Sequence, residues 1–576
     1  MASVRKLLIL WPLLLALGTV GWAAEANPVH ARHAMVASQH SLASQIGVDI
    51  MQQGGNAVDA AVATGFALAV VHPQAGNLGG GGFMLLRTHD GATHFLDFRE
   101  SAPAAASEKM YLDAQGNVIS NASVVGYKAI AVPGSVAGLA YAQKKWGKLP
   151  LSQVLAPAIH LAQAGFPLSY LDAQDLRDPD LAKYPESKRI FQSDPERHGD
   201  FYQQGDILRQ PELARTLEEI ARDPNSFYTG SIARDLVASM QAGGGLITAA
   251  DLAHYQVKER SVVRGSYRGY EIISAPPPSS GGIVLLEALN ILEAVSLGGM
   301  GNRSAESIHW VAEAFRRAYM DRAEFLGDPD FVALPVAQLL DKKYAAAWRE
   351  SISDAHATPS AGLKRPAGFG ELDREASVPR RESNNTTHYS VVDQDGNAVA
   401  VTTTLNDDFG SRVTAKGLGF LLNDEMDDFS AKPGAPNLYG LIQGPANAIA
   451  AGKRPLSSMA PTIVLKDGKL FLVLGSPGGS RIITTVANIL MDVVDFGMNI
   501  QEAVNAPRFH HQWEPDSIML ENEGFSPDTI RLLQSRGHKL TYDDSWSDGE
   551  CIMIDPKSGD RLGASDPRHD GKAVGY

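Results

Sequence analysis

The chain has 576 residues, 44% hydrophobic and 20% charged, and its 51 Lys+Arg against 65 Asp+Glu leave a formal charge of −14. That is enough apolar material for a large folded core, while an acidic balance with no cluster of Lys and Arg argues against nucleic acid as a partner. The single cysteine, Cys551, excludes an intrachain disulfide, a CxxC redox pair and any zinc site that needs two thiolates.

Arg5 and Lys6 precede an apolar stretch from Leu7 to Trp22, followed by the small residues Ala23, Ala24 and Ala26. This reads as a secretory signal peptide over residues 1–24. The alternative is a transmembrane anchor, but the stretch contains Pro12 and falls short of the ~20 residues that span a bilayer. The expectation is an exported protein, periplasmic or secreted, with no stable membrane anchor, whose mature residues carry a charge of −16 once Arg5 and Lys6 are lost.

Ser41 to Val71 predicts two Ala-rich helices broken at Gly54-Gly55-Asn56 and ended by His72-Pro73. Phe83 to Arg87 and Thr93 to Arg99 form a hairpin pattern about Gly91. From about Leu149 to Gly327 the pattern is mostly helical. Within it, His309 to Phe325 sets Trp310, Ala314, Ala318 and Phe325 against a second face with Arg316, Arg317 and Asp321. Ser351 to Asn385 is a solvated linker by composition. Strands return over Thr386 to Val392 and Ala398 to Thr404, with a turn at Asp393 to Asn397, and again over Thr462 to Leu465 and Leu470 to Leu474. Helices follow at Ile482 to Asp492 and at Ser526 to Arg536, the latter with Ser526 as N-cap, Pro527 at its first position and Gly537 as terminator. The alternation of helices and hairpins predicts an α+β fold of antiparallel sheets covered by helical layers.

Common catalytic motifs are missing. There is no Gly-x-Ser-x-Gly, no P-loop and no His-Glu-x-x-His; His510-His511 is a weak metal hint only. One junction stands out, where the linker ends in Asn384-Asn385 and runs straight into the strand Thr386-Thr387-His388. A threonine hydroxyl can attack the carbonyl before it, pass through an ester and become a new N-terminus. Its own α-amine, with a reference pKa of about 7.7 to 8.0, then serves as base. A turn centred on Asp395 opposes Val392 to Ala398, Ser390 to Ala400 and Thr386 to Thr404, with opposed side chains about 4.5–5.5 Å apart. Thr404 is thereby placed to orient the Thr386 hydroxyl, and Asn406, two residues on, is expected to point the same way. From the register alone, a plain threonine-rich strand pair is the favoured reading. Asp424 to Asp428 reads as a solvated acidic loop, Gly478-Gly479 as a tight turn or an anion-binding helix start, and Pro433 to Gly444 as a surface loop.

Taken together, Thr386-Thr387-His388-Tyr389-Ser390, Asp395-Gly396-Asn397, Thr404, Asn406, Asp428, Pro455 to Met459 and Gly475 to Arg481 resemble the γ-glutamyltranspeptidases of the N-terminal-nucleophile hydrolase superfamily. Asn77 to Gly82, Arg99 to Pro103, Pro507 to His511 and Ala564 to Arg568 extend the likeness over nearly the whole chain. The resemblance implies a four-layer αββα sandwich of two stacked, mainly antiparallel sheets, and a precursor that cleaves itself between Asn385 and Thr386. The products would be a large subunit, residues 25–385, and a small catalytic subunit, residues 386–576, which form one shared core as a heterodimer. It implies Thr386 as nucleophile, Thr404 as its hydrogen-bond partner, and Gly478 and Gly479 as oxyanion hole. Arg99, Ser457 and Ser458 would hold the donor's α-carboxylate, a guanidinium fork and two hydroxyls suiting a planar anion. Asn406, Glu425 and Asp428 would hold its α-ammonium; position 425 is glutamine in some members and glutamate in others. Tyr439 would belong to a lid that touches Asn406. Related cephalosporin acylases lack this lid and replace the residue at 428. The implied substrates are glutathione or other γ-glutamyl compounds with water, amino acids or peptides as acceptors, with no metal or organic cofactor. The competing readings are a glutaryl-β-lactam acylase and, in another class, an exported solute-binding protein.

Overall fold

The computed structural model describes residues 26–192, 201–367 and 386–576. The expected signal peptide, most of the linker and Asn385 lie outside the described residues. Two seven-stranded sheets organise the chain. One runs Lys572–Gly575, Met35–Ser38, Thr387–Val392, Ala398–Thr404, Gly81–Arg87, Thr93–Phe98, Lys258–Arg260, with every neighbouring pair antiparallel. The other runs Val29–Ala31, Arg561–Ala564, Cys551–Ile554, Lys469–Leu474, Thr462–Lys466, Tyr270–Ser274, Val263–Tyr267, again antiparallel throughout.

The layering follows from the period of two in each strand. In Ala398–Thr404, Val399 and Val401 join Val391, Met84 and Leu86 in a core roofed by the helices Ser41–Gln52 and Ala57–Val71. Ala398 and Ala400 point the other way, with Val392, Phe83 and Leu85, into a core shared with Ile463, Leu472 and Leu474 of the second sheet. That sheet is covered in turn by the helices Gly281–Leu292, Ala305–Phe325 and Arg481–Val494. The result is the αββα sandwich, and both cores mix residues from either side of position 386. Ala57–Val71 starts at an Asn56 cap that forms a capping box with Asp59, and every residue of it is buried, which its alanines permit by close packing. Among the described residues no helix is long and apolar enough to cross a membrane.

The hairpin headed by Thr386 has the expected register: Thr387 opposes Thr403, Ser390 opposes Ala400 and Val392 opposes Ala398. Asp393 closes its turn, Oδ1 accepting from Asp395 N at 3.0 Å and Asn397 N at 2.9 Å. Thr387–Val392 is the third strand of its sheet, flanked on both sides, so a chain break at its head leaves it held.

Two expectations need correction and one, the mostly helical stretch, needs an addition. The stretch expected to be mostly helical also contains the hairpin Val263–Tyr267 and Tyr270–Ser274, turned at Arg268 (φ 52°) and Gly269 (φ 78°), which completes the edge of the second sheet. Helix Ala305–Phe325 does not set an apolar face against a polar one: Arg316, Arg317, Asp321 and Arg322 are buried, while Trp310 and Phe325 are partly exposed. Each buried charge has a polar partner distant in sequence or one turn away. Glu313 pairs with Arg316 Nε at 3.1 Å and Arg317 Nη1 at 2.7 Å, and Asp321 accepts from Tyr344 OH at 2.7 Å and Trp348 Nε1 at 3.2 Å. Finally, the described start of the linker is anchored. Ser360 is buried, its N–H donating to Asp516 Oδ2 at 3.0 Å and its hydroxyl to Trp513 O at 2.6 Å. Hydrogen bonds and two buried apolar side chains, Ile352 and Leu363, hold this segment, too few large apolar residues for its composition to show that it is anchored.

Candidate active site

Thr386 stands at the head of the third strand, and its hydroxyl donates to Thr404 Oγ1 at 3.4 Å across the hairpin. Thr404 Oγ1 also accepts from Asn406 N at 2.8 Å. Asn406 reaches the site by a different route from the one expected. The strand ends at Thr404, and Asn406 adopts φ 83°, a left-handed turn that asparagine tolerates better than most residues. Its Oδ1 accepts from Tyr439 OH at 3.0 Å, and the same hydroxyl lies 2.7 Å from Asn406 O.

Tyr439 is buried in a segment whose composition suggests a free surface loop. The segment is tied down at several points. Leu438 N donates to Asp427 Oδ2 at 2.9 Å, Gly444 N to Ala323 O at 2.7 Å, and Gln512 Nε2 to Tyr439 O at 3.1 Å.

The acidic run is not solvated either. Asp424, Glu425, Asp427 and Asp428 are all buried, and Glu425–Asp428 is a short 3-10 helix. Asn423 anchors it. Its Nδ2 donates to Gly79 O at 2.7 Å and Ala131 O at 2.9 Å, while its Oδ1 accepts from Ala131 N at 2.9 Å and Glu425 N at 3.0 Å. Arg99, directly after the strand Thr93–Phe98, is fully buried and forms ion pairs with Glu425 through Nη1 and with Asp428 through Nη2. Its Nε donates to Pro455 O at 3.3 Å, and Glu100 Oε2 lies 3.7 Å from Nη1.

So many carboxyls in a dry site compete for one guanidinium. Burial pushes the carboxyls of Asp424 and Glu425 well above their usual range, for Glu425 against the opposing charge of Arg99. Burial raises Glu100 to about 7, again opposed by Arg99, and Asp427 to about 6, opposed by hydrogen bonds from Ser123 and Leu438 N. For Arg99 burial acts to lower the pKa, but the charges of Glu425, Asp428 and Glu100 outweigh it and hold the guanidinium ionised.

Ser457 and Ser458 lie in a segment pinned to the stretch before helix Gly281–Leu292: Ser457 N donates to Pro278 O at 2.9 Å and Ser280 N to Ser457 O at 2.8 Å. Gly478 (φ 122°) and Gly479 (φ 55°) sit just before helix Arg481–Val494. Among the described residues neither N–H is taken by a backbone acceptor. A Cβ on Gly479 would lie 2.4 Å from the Tyr439 ring, and one on Gly478 would lie 2.1 Å from Ser547 Oγ, so both positions require glycine.

Arg99, Thr386, Thr404, Asn406, Glu425, Asp428, Tyr439, Ser457, Ser458 and Gly479 line one cavity, closed by Leu441, Met459 and Ile482. Its free volume is about 20 Å³, room for about one water. Gly478 adjoins it through Gly479, and Asn385 lies outside the described residues. Sequence reasoning missed Asn423 and also Arg322, which donates to Ser458 Oγ at 3.1 Å; neither belongs to a recognisable motif. A larger surface pocket of about 390 Å³, bounded by Asp251, His254, Lys258 and Arg454, contains none of the candidate residues.

Of the adjacent histidines, His510 engages Thr484 Oγ1 and Gln512 Oε1, both at 2.8 Å, and His511 Nδ1 accepts from Trp513 N at 3.1 Å, while His511 Nε2 has no hydrogen-bond partner and lies 3.7 Å from Asp516 Oδ1. His309, Glu313 and His538 come within reach of one another. However, the two rings hydrogen-bond at 2.8 Å and Glu313 is already paired to two arginines, an arrangement that suits a structural network better than a cation.

A family model described as Gamma-glutamyltranspeptidase matches residues 43–576. The chain is 50% identical over 555 residues to the glutathione hydrolase proenzyme of Escherichia coli (strain K12), covering 96% of this chain and 93% of that relative. Among solved structures, the gamma-glutamyltranspeptidase of Helicobacter pylori superposes with a TM-score of 0.56 at 43% identity, covering 62% of this chain and 99% of that one. A cephalosporin acylase from Bacillus halodurans superposes with a TM-score of 0.82 at 27% identity, covering 98% of this chain and 99% of that one. Likeness thus extends to acylases in backbone and, at 38% identity over 568 residues to the acylase ACY 1 proenzyme of Pseudomonas sp. (strain SE83), in sequence, whereas identities of 46–50% over nearly the whole chain fall to glutathione hydrolase proenzymes. The chain belongs to the gamma-glutamyltranspeptidase family.

Proposed function

We propose that this protein is a self-processing γ-glutamyltransferase and glutathione hydrolase. The observation that carries the reading is the convergence on one buried cavity of a threonine hydroxyl bonded to a second threonine, a guanidinium, two serines and two carboxylates. A γ-glutamyl donor has one carboxylate and one ammonium on its α-carbon, so it needs both signs of charge beside the nucleophile. Arg99 with Ser457 and Ser458 meets the first, and Glu425 with Asp428 meets the second. Arg99 pairs with both carboxylates across the cavity. A bound donor inserts its own ion pair between them, taking the carboxylate to Arg99 and the ammonium to Glu425 and Asp428.

Thr386 becomes the N-terminus of a 191-residue small subunit when the Asn385–Thr386 bond breaks; residues 25–385 remain packed with it as the large subunit. Its α-amine takes the hydroxyl proton as Oγ1 attacks the γ-amide carbonyl. The oxyanion rests against the N–H groups of Gly478 and Gly479, and the amine departs with the proton. Water then releases glutamate from the ester, or an amino acid or peptide amine takes the γ-glutamyl group. Glu425 and Asp428 disfavour a glutaryl acylase as the main activity, because a glutaryl group brings no ammonium to neutralise them. The leading segment, residues 1–24, fits export to the periplasm or beyond.

The test is release of p-nitroaniline from γ-glutamyl-p-nitroanilide by the purified protein, with and without glycylglycine. Activity abolished by Thr386→Ala supports the reading; a fully active Thr386→Ala protein, or an inactive wild type, overturns it.

A further inference from the structure

Arg322, in helix Ala305–Phe325, is fully buried, yet among the described residues no carboxylate lies within ion-pair distance of it. Its Nε donates to Ser280 Oγ at 2.8 Å and its Nη2 to Ser458 Oγ at 3.1 Å, while Nη1 has no hydrogen-bond partner. A buried guanidinium in this condition is unfavourable, since a charge removed from water needs an opposite charge or a full set of acceptors. Burial accordingly pulls its pKa down to about 10, with the nearby positive charge of Arg99 acting the same way and the carboxylate of Asp428 opposing it.

The hydrogen bonds also have a direction. Guanidinium has five donors and no acceptor, so wherever it meets a hydroxyl the hydroxyl must accept. Ser280 Oγ accepts from Arg322 and donates onward to Ser457 O at 2.7 Å, bracing the backbone of the serine pair. Ser458 Oγ accepts from Arg322 and keeps its own proton for another acceptor, and Ser458 lines the cavity. One turn earlier on the same helix, Tyr319 OH donates to Ser480 O, next to Gly479. The helix therefore braces both the serine segment and the glycine turn.

Resting on the donor reading above, we propose that Arg322 is a positioning residue for the donor's α-carboxylate: it fixes Ser458 with its hydroxyl proton aimed into the cavity and supplies a buried positive charge that the bound carboxylate balances. Arg99 is the guanidinium that touches the donor; Arg322 acts through Ser458 and Ser280.

Three p-nitroanilide donors separate the roles. γ-Glutamyl carries both α-groups, glutaryl keeps only the carboxylate, and 4-aminobutyryl keeps only the ammonium. Arg322→Gln is expected to lower kcat/KM about tenfold for the first two, mainly through KM, and to leave the third within about twofold. Arg322→Lys, which keeps the charge, should recover part of the loss. On a Ser458→Ala background, Arg322→Gln should reduce the γ-glutamyl activity by much less than tenfold. An equal fall for all three donors, or none for any, overturns the proposal. If Arg322→Gln does not accumulate as folded protein, Arg322→Lys gives the same comparison on a smaller scale, with the same overturning result. A wild type inactive on γ-glutamyl-p-nitroanilide would instead remove the donor reading itself.

Discussion

Arg99→Ala perturbs the site at the point where charge is most concentrated. Arg99 is wholly buried, and its removal leaves Glu425, Asp428 and Glu100 facing one another without a cation. Breaking a buried ion pair from one side typically costs about 3–5 kcal/mol. With an unfolding entropy of about 2.1 cal/mol/K per residue, a chain of this size loses roughly 1 °C of Tm per kcal/mol, so a fall of about 3–5 °C is expected. The deficit must depend on pH with a defined sign. Burial already raises Glu100 to about 7 and Glu425 well above its usual range, and loss of Arg99 raises both further. Protonation removes the unpaired charge, so the Tm gap between variant and wild type should narrow as pH falls from 8 to 6. In kinetics, a lost charge-assisted contact should lower kcat/KM about 10- to 100-fold for γ-glutamyl-p-nitroanilide and far less for the 4-aminobutyryl analogue. Differential scanning fluorimetry across pH and steady-state rates on the two donors read both effects. A Tm gap independent of pH, together with equal loss on both donors, would refute the reasoning.

Two further outcomes follow from local geometry. Gly479→Ala places a methyl 2.4 Å from the Tyr439 ring at φ 55°, and should lower kcat by about 10²-fold or more by displacing an oxyanion donor; a near-normal kcat would remove Gly479 from that role. His569 Nδ1 lies 2.7 Å from Asp548 Oδ1, whose charge raises the imidazole to about 9 against the opposing effect of burial. A raised histidine pKa stabilises the fold fully below pH 6.5 and loses that contribution as pH rises through 9. The wild-type Tm should therefore fall more steeply than that of His569→Gln between pH 7 and 10, and parallel curves would discount the pair.

What could be read in advance, and what could not, divides along physical lines. The hairpin around Thr386 was legible because strand periodicity and the Asp393–Asn397 turn are local features, and register follows from them. The layered α+β architecture followed from the same kind of pattern. The acidic run misled because composition records charge but not partners. Asn423 bridging to Gly79 and Ala131, and Arg99 reaching Glu425, join residues hundreds of positions apart. Arg322 was invisible for the same reason. A charged residue on a helix reads as a polar face until Ser458 and Ser280 are seen beneath it. Asn406 lines the same cavity as Thr386 and Thr404, but not by strand alternation, which ends at Thr404 where a left-handed turn takes over.

The central claim is that Thr386 is a nucleophile exposed by breakage of its own peptide bond. Intact-mass analysis with N-terminal sequencing of a purified, active preparation tests this most directly. Two tightly associated fragments are expected, the smaller beginning at Thr386 with 191 residues, and Thr386→Ala should remain a single chain. An active preparation that is a single uncleaved chain, or whose small fragment begins at any other residue, would contradict it.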